Sequence, residues 1–377
     1  MSKHRDLLFN QTAIMNIKKH GRGAQNNPHN RFIKGELIPD HDYIQQDYEG
    51  EEGSEWLGGQ EQTKYIATYP KTFINKIESA DIGLAYSMNP YQGCEHGCIY
   101  CYARPTHEYW GYSAGLDFER IILVKQNVVS LLEQSFQKKN WQPLPIMLSG
   151  NTDCYQPIER KLQITRQILQ VCLRYKHPVS IISKNYLVMR DIDILEEMAR
   201  MNLVHVMISI TGTDERNRQI LEPRTATYAK RFKAIELLAQ AGVPVGVMAA
   251  PIIPGFNDHE IIAIIKKSAE MGARTAGYTI VRLNGSVADV FREWLYQLMP
   301  DRGDKIWRQI EDCHGGKVSD YRAGKRMSGE GEFAQAIKQM FNSAKKKYMG
   351  HYPKFEYNTS LFDPSGGAIN PQLQLFE

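Results

Sequence analysis

Three cysteines within eight residues are the feature of this chain with the clearest chemistry. They are Cys94, Cys98 and Cys101, while the other three cysteines of the 377 residues are scattered singly. Four thiolates usually hold a cubic [4Fe–4S] cluster, so three of them would leave one iron open. An open coordination position marks a metal site that does chemistry. The spacing therefore predicts a reactive iron–sulfur cluster.

A zinc site completed by His96 or His107 is the alternative interpretation of the same residues. In a cytosolic protein, clustered cysteines indicate metal ligands rather than a disulfide framework. Under this alternative the chain would be a non-catalytic zinc or iron–sulfur module that acts through partners.

The composition is that of an ordinary globular protein, with 42% apolar and 23% charged residues. A net charge of +4 is too small to indicate nucleic-acid binding by itself. The first residues lack the apolar core of a secretory signal. The longest uncharged apolar run, residues 243–256, contains three prolines and is too short to span a bilayer. We therefore expect a cytoplasmic protein without membrane association.

Short apolar strands alternate with amphipathic helices through the middle of the chain. Continuous apolar strands that are each followed by a helix indicate parallel pairing, with helices packed outside. About six repeats are present, fewer than the eight of a full barrel, so we expect a partly open barrel. The predicted strands are residues 121–124, 145–149, 179–183, 204–210, 245–250 and 278–283, and the predicted helices are 126–137, 158–175, 191–201, 228–241 and 258–271.

Four regions follow from this pattern. Residues 1–84 form a polar N-terminal arm that is either disordered or wrapped around the barrel. The barrel spans residues 85–285, a helical extension spans 286–361, and residues 362–377 form a flexible tail.

The Cys-x₃-Cys-x₂-Cys spacing, followed by this alternation, resembles the radical S-adenosylmethionine (SAM) superfamily. The whole chain resembles an uncharacterised bacterial group related to spore photoproduct lyase. This resemblance rests on four stretches, which are residues 21–24 (Gly-Arg-Gly-Ala), 30–32 (Asn-Arg-Phe), 101–108 (Cys-Tyr-Ala-Arg-Pro-Thr-His-Glu) and 152–159 (Thr-Asp-Cys-Tyr-Gln-Pro-Ile-Glu).

The resemblance implies an α/β fold, a partial (β/α)6 radical SAM barrel. It also implies that Cys94, Cys98 and Cys101 hold a [4Fe–4S] cluster whose fourth iron is chelated by SAM. In this family one electron cleaves the SAM sulfonium and leaves a 5′-deoxyadenosyl radical, so an electron donor such as flavodoxin or ferredoxin is implied as a partner.

Candidate SAM-binding residues lie where strands are predicted to end, because ligands of parallel α/β barrels bind at that edge. The resemblance places Tyr100, which Tyr102 follows, near the adenine. The family's usual Gly-Gly-Glu motif for the SAM amino group is absent, and Thr152 and Asp153 are the predicted substitutes. A polar turn with an Asp cap is the alternative for those two residues.

Three more SAM contacts are carried over from the lyase branch. Lys184 and Ser209 are predicted to contact the SAM carboxylate and ribose, and Ala250 is predicted to flank the adenine. The alternatives are a solvated surface charge for Lys184 and simple barrel packing for Ala250.

The hydrogen-atom donor is where the chain departs from the lyase. The lyase donates from a cysteine, and the matching position here is Gly150. The chain is therefore not expected to be a photoproduct lyase in the strict sense. Cys154 and Tyr155 are the predicted catalytic replacements.

The tail carries a pattern that points to DNA. Residues 372–376 read Gln-Leu-Gln-Leu-Phe, which resembles the peptide that docks bacterial repair proteins on the DNA sliding clamp. A tail from Gln372 would seat Leu375 and Phe376 in an apolar groove; packing back on its own domain is the alternative. Basic residues could steer phosphates or could be plain solvated faces, and these are Arg322, Lys325, Arg326 and the run 345–347.

These observations predict radical chemistry on a nucleic-acid base or DNA lesion. Radical chemistry on a peptide or small metabolite is the second hypothesis.

Overall fold

The computed structural model describes residues 21–32 and 62–367. The clamp-like residues 372–376, and the remainder of the predicted arm, lie outside these ranges. No helix in the described ranges has the length and apolar character needed to cross a membrane.

A seven-stranded sheet organises the described chain, in the order β10-β9-β8-β7-β6-β3-β2. The six strands from β3 to β10 in this order pair in parallel, and β2 pairs antiparallel with β3 at one edge. A second sheet has the order β1-β5-β4. The strands are β1 (Lys64–Thr68), β2 (Ile74–Lys76), β3 (Tyr86–Met88), β4 (Tyr91–Gln92), β5 (Ile121–Lys125), β6 (Ile146–Leu148), β7 (Val179–Ser183), β8 (Val204–Ser209), β9 (Val245–Ile252) and β10 (Thr275–Ile280).

Helices follow the parallel strands and bury one apolar face each against the sheet. Three 3₁₀ segments, Arg104–Trp110, Tyr186–Asp191 and Asp258–Glu260, complete the connections. The α-helices are α1 (Leu116–Arg120), α2 (Val128–Phe136), α3 (Glu159–Leu162), α4 (Ile164–Arg174), α5 (Ile192–Arg200), α6 (Glu215–Leu221), α7 (Tyr228–Gln240), α8 (Ile261–Glu270), α9 (Val287–Leu298), α10 (Gly303–Cys313) and α11 (Gly331–Met349).

The α/β class and the six parallel strands agree with the partial barrel expected from the sequence. Within the described chain, the two edge strands β10 and β2 are not paired with each other, so the barrel does not close. Because all six parallel strands run in one direction, their carboxyl ends share one edge of the sheet.

The identity of the first barrel strand was wrong in the sequence prediction. The apolar run 121–124 forms β5, which pairs with β1 and β4 in the second sheet. The first parallel strand is instead β3, a short segment that reads Tyr-Ser-Met. An apolar run indicates a buried strand, but only tertiary packing decides which sheet it joins.

Two further boundaries differ from the prediction. The helix expected over 158–175 is broken at Gln163, which has a left-handed φ of 52°, so that α3 and α4 replace it. The last strand ends at Ile280 rather than residue 283. There the chain turns to the 318–327 region, since Ile280 N–H donates to Met327 and Leu283 N–H to Val318.

The helical extension packs on the barrel as two groups. Helix α11 lies against α8 and α10. Helices α9 and α10 share one apolar cluster with the buried Cys98, Ile99 and Tyr100. The extension therefore forms part of the wall behind the cysteine loop.

Candidate active site

The cysteine loop, residues 93–102, begins directly after β4 and reaches the carboxyl edge of the main sheet. Cys94 and Cys98 are each only 7% exposed, while Cys101 is partly exposed. All three are free thiols. The Tyr102 hydroxyl donates to the Gly150 carbonyl just beyond β6, over 2.6 Å. The loop is therefore fixed beside the strand ends, where barrel ligands bind.

Two glycines shape this loop. Gly93 and Gly97 have left-handed φ angles of 81° and 67°. A Cβ at Gly93 would lie 2.6 Å from the Ile121 carbonyl oxygen, and one at Gly97 would lie 2.9 Å from Glu119 Oε2. Both positions therefore require glycine, because a side chain would be strained and would clash.

Arg104 holds the loop from behind. Its side chain is fully buried, and its Nε and Nη2 donate to the Cys98 carbonyl oxygen over 3.0 and 2.9 Å. Nη2 also pairs with the buried Glu119 carboxylate at 2.5 Å. The guanidinium thus joins the loop backbone to α1.

The segment 21–32 packs onto the same carboxylate. The backbone N–H groups of Gly23 and Ala24 donate to Glu119 over 3.0 and 2.8 Å. Nearby, Glu108 is buried and pairs with Arg31 at 3.0 Å. The family resemblance included residues 21–24 and 30–32, but the sequence did not show what they do. In the structure this segment packs behind the cysteine loop and contacts the buried carboxylates of Glu119 and Glu108.

The three thiols suit a polynuclear cluster. In the described chain, no three His, Cys, Asp or Glu side chains form a group that could hold a metal ion. Thiolates that bind different irons of one cluster need not converge on a single point. Burial raises the pKa of Cys98 to about 12, although Lys184 opposes the shift. The thiolate form therefore needs positive charge, which bound iron would provide.

The two histidines proposed to complete a zinc site have other neighbours. His96 lies between Asp153, whose Oδ2 is 3.4 Å from Nδ1, and Asn185, whose Nδ2 is 3.2 Å from Nε2. Burial lowers the pKa of His96 to about 4. The His107 ring packs edge-on against Phe118, with centroids 5.6 Å apart. Each ring therefore helps to pack the loop.

Asp153 connects the ends of two neighbouring strands. Its carboxylate accepts hydrogen bonds from the Ser183 hydroxyl and the Lys184 N–H, each over 2.8 Å. Thr152 is buried, and its hydroxyl donates to the Tyr91 carbonyl over 2.7 Å. Both residues lie at the predicted edge, but their contacts also fit the polar-turn alternative, and their SAM contacts stay a prediction.

A buried charged network fixes Tyr100. The Tyr100 hydroxyl donates to Glu222, which also pairs with Arg231 at 2.5 Å. The Lys184 ammonium lies 5.9 Å from the centre of the Tyr100 ring. Burial opposes the charge of Glu222, but Arg231 and Lys184 outweigh it and lower the pKa of this carboxyl. The ring and the ammonium therefore form a rigid wall of the site.

Sequence reasoning missed Glu222 and Arg231. No local spacing links them to Tyr100, which is 122 residues from Glu222 along the chain. Arg231 follows Lys230 in the first turn of α7, a charged pair typical of an exposed helix face, so the sequence carried no signal of its buried position. The network became visible only with the tertiary structure.

The remaining predicted SAM contacts share the same edge. Ser209 ends β8 and is buried, and its carbonyl accepts from Arg231 over 3.0 Å. Ala250 lies near the end of β9 and is 9% exposed. Tyr102 is 48% exposed, so its ring is open to solvent beside the loop. Their roles toward SAM stay predictions.

The two predicted hydrogen donors lie deeper. Cys154 and Tyr155 are fully buried in the main apolar core. The Cys154 N–H donates to Ser149 Oγ over 2.6 Å, and the Tyr155 hydroxyl donates to Asp191 over 3.1 Å. These contacts are structural, and the donor role of both side chains stays a prediction.

Comparison with known proteins identifies the family. The family described as the radical SAM superfamily matches residues 88–267. The uncharacterised protein Rv2578c of Mycobacterium tuberculosis is 31% identical over 234 residues, covering 61% of this chain and 69% of that protein. The uncharacterised protein MJ0683 of Methanocaldococcus jannaschii is 28% identical over 219 residues, covering 58% and 78%. The chain belongs to the radical SAM superfamily, whose members use a [4Fe–4S] cluster and SAM.

The fold is similar to that of spore photoproduct lyase. The solved lyase complexed with dinucleoside spore photoproduct superimposes with a TM-score of 0.57 at 16% identity, over 78% of this chain and 82% of the lyase. At this identity the similarity concerns the fold.

Proposed function

We propose that this chain is a radical SAM enzyme that acts on a nucleic-acid base, with a DNA lesion as the preferred substrate. The bound cofactors would supply a 5′-deoxyadenosyl radical. The observation that carries the proposal is the position of the cysteine loop, which holds three thiols at the carboxyl edge of six parallel strands beside Lys184.

The chain's own residues would divide the work as follows. Cys94, Cys98 and Cys101 would hold the cluster. Lys184 would attract the SAM carboxylate, because its ammonium is held at the site edge and a charge-assisted hydrogen bond is strong. Contacts from Thr152, Asp153, Ser209 and Ala250, and an external one-electron donor such as flavodoxin or ferredoxin, belong to the same proposal.

Two observations support a nucleic-acid substrate. The similar lyase structure holds a dinucleoside photoproduct, and this chain shares the fold over most of its length. The Tyr102 ring is also exposed at the edge of the loop, where it offers a face for a base. A base would have to leave its stack to reach a reactive group inside the barrel.

The reaction should differ from that of the lyase in the residue that donates a hydrogen atom to the product radical. The position matching the lyase's donor cysteine is Gly150, which has no side chain. Cys154 and Tyr155 remain the proposed donors. Because both are buried, a hydrogen atom from either side chain would pass to the substrate radical through intervening groups.

The decisive experiment is anaerobic reconstitution with iron, sulfide, dithionite and SAM, followed by assay for 5′-deoxyadenosine. The reaction is run alone, with ultraviolet-irradiated oligothymidylate, with the same oligonucleotide unirradiated, and with a mixed peptide pool. Stimulation by the irradiated oligonucleotide is expected. Stimulation by peptide alone contradicts the nucleic-acid assignment, and turnover by a variant with alanine at all three loop cysteines contradicts the radical SAM assignment.

A further inference from the structure

Arg282 lies two residues beyond the end of β10, at the edge of the sheet that carries the cysteine loop. Its neighbours are fixed, since Val281 N–H donates to Ile252 and Leu283 N–H donates to Val318, each over 2.8 Å. Val281 and Leu283 are each 1% exposed and pack in the apolar cluster behind the loop. Arg282 itself is only partly buried.

The groups within electrostatic range of Arg282 come from three parts of the chain. They are Asp81 between β2 and β3, Tyr102 of the cysteine loop, and Tyr321 and Arg326 of the loop before α11. The loop before α11 is hydrogen-bonded to the end of β10 and is joined to Asp81 through Arg326. We call the region that contains Asp81, Tyr102, Arg282 and Tyr321 the mouth.

The other cations near the mouth have anionic partners. Arg326 pairs with Asp81, while Arg322 pairs with Asp320 and Lys325 with Glu330. These three are among the residues predicted to steer phosphates, and each has an ion-pair partner in the structure.

Arg282 differs from them. It makes no hydrogen bond or ion pair within residues 21–32 and 62–367. Asp81, the nearby carboxylate, is already bound to Arg326 and to the Gly324 N–H. Burial and the like charge of Arg326 lower the pKa of Arg282. A partly desolvated cation beside a second cation is costly unless an anion completes it.

Two exposed tyrosines lie within electrostatic range of this cation. Tyr321 is 72% exposed and Tyr102 is 48% exposed. Exposed aromatic rings beside a cation are the combination that binds single-stranded nucleic acid, because bases stack while phosphates are neutralised. A guanidinium also fits a phosphate through two parallel hydrogen bonds.

We propose that Arg282, together with Tyr321 and Tyr102, forms a subsite at the mouth that takes a phosphate group of the substrate strand while an adjoining base stacks on Tyr321. This inference rests on the proposed function, since it requires a nucleic-acid substrate. Because the Tyr102 hydroxyl is bonded to Gly150, the subsite is joined directly to the cysteine loop and the strand ends. A phosphate held there would deliver the neighbouring nucleotide to the reactive edge.

The test measures binding of a fluorescein-labelled ten-residue oligothymidylate to the full chain, reconstituted anaerobically, at several salt concentrations. Arg282→Met is expected to weaken binding about tenfold and to reduce the slope of log K against log salt by about 0.7, the value for one lost contact to a single strand. Tyr321→Ala is expected to weaken binding roughly tenfold with the slope unchanged. Lys317→Met, which removes an exposed charge from the same loop, should change neither quantity.

The outcomes separate the subsite from the proposed function. If the wild-type protein does not bind the oligonucleotide, both fail. If the wild type binds and Arg282→Met binds with equal affinity and equal slope, the subsite alone is overturned. It is also overturned if Arg282→Met weakens SAM binding and leaves oligonucleotide binding unchanged. Should Arg282→Met fail to fold, Arg282→Lys decides, because it keeps the charge but loses the paired hydrogen bonds and is expected to bind several-fold more weakly.

Discussion

Arg104 and Glu119 form a fully buried ion pair, 2.5 Å apart, directly behind the cysteine loop. Every acceptor around the guanidinium belongs to the loop or its support: the Cys98 carbonyl, the carbonyls of Ala114 and Gly115, and Glu119 itself. The carboxylate in turn receives two backbone N–H groups from the segment 21–32. One pair thus joins three separate stretches of chain to the site.

Removal of one partner of this ion pair should destabilise the folded protein and reduce the amount of iron bound at the cysteine loop. Glu119→Ala leaves the Arg104 charge buried and unpaired, which typically costs about 3–5 kcal/mol. We expect a lower free energy of unfolding and less iron bound after reconstitution, measured by denaturant titration and metal analysis. Lys233→Ala is the matched control, because it breaks an exposed pair with Glu236, which is worth about 0–1 kcal/mol. Equal losses in the two variants would contradict the structural role.

Gly23 should be intolerant of any side chain. A Cβ at this position would lie 1.8 Å from the Gly97 carbonyl oxygen, and a backbone atom cannot yield by rotating a side chain. Gly23→Ala should therefore displace segment 21–32 or the cysteine loop, and lower the broad iron–sulfur absorbance at about 400 nm.

Gly83→Ala is the control for this substitution, because a Cβ there meets nothing within 4 Å. Full cluster content in Gly23→Ala would mean that the segment does not support the loop.

Lys184 should matter for SAM and not for the cluster. Lys184→Met removes the ammonium that lies 5.9 Å from the Tyr100 ring centre, while the three cysteines remain. We expect SAM to bind about tenfold more weakly, a change of about 1.4 kcal/mol, with iron content unchanged, as measured by equilibrium dialysis. Lys266→Met, on the exposed face of α8, is the control. An unaltered SAM affinity in Lys184→Met would remove this residue from the cofactor site.

His177 should make stability depend on pH. It is fully buried and stacks on Phe136 with ring centroids 4.3 Å apart, and burial lowers its pKa to about 3. The unfolded chain, with a histidine pKa of about 6.5, binds the proton more readily. The contribution of the neutral His177 ring to stability is therefore fully present above about pH 6.5 and is lost as the pH falls toward 3. The slope of the free energy of unfolding in this range is about 1.4 kcal/mol per pH unit for one proton.

His177→Phe retains the stack and removes the proton site. Between about pH 5 and 6, the free energy of unfolding of this variant should change less steeply with pH than that of the wild type. The two slopes should differ by about 1.4 kcal/mol per pH unit, the value for one proton. His259→Gln, at an exposed position, should leave the slope as it is. An identical slope in His177→Phe would show that the buried ring is not responsible.

The sequence by itself determined the features that depend on neighbours along the chain. The spacing of Cys94, Cys98 and Cys101 predicted the cluster chemistry, and the role of these three residues stays a prediction. Continuous apolar runs correctly predicted five of the six parallel strands. Strand ends then placed Asp153 and Lys184 at one edge, because parallel strands share a direction. Local geometry suffices for such statements.

Only the tertiary structure decided which distant groups meet. It assigned β3 rather than β5 to the barrel and placed Glu222 and Arg231 beside Tyr100. Among the described residues, it paired Asp81 with Arg326 and gave Arg282 no hydrogen bond or ion pair. Charges and short strands have no periodic signature. Their partners are selected by tertiary packing, which brings together residues as distant as Asp81 and Arg326, 245 positions apart. Burial makes such pairings energetically decisive.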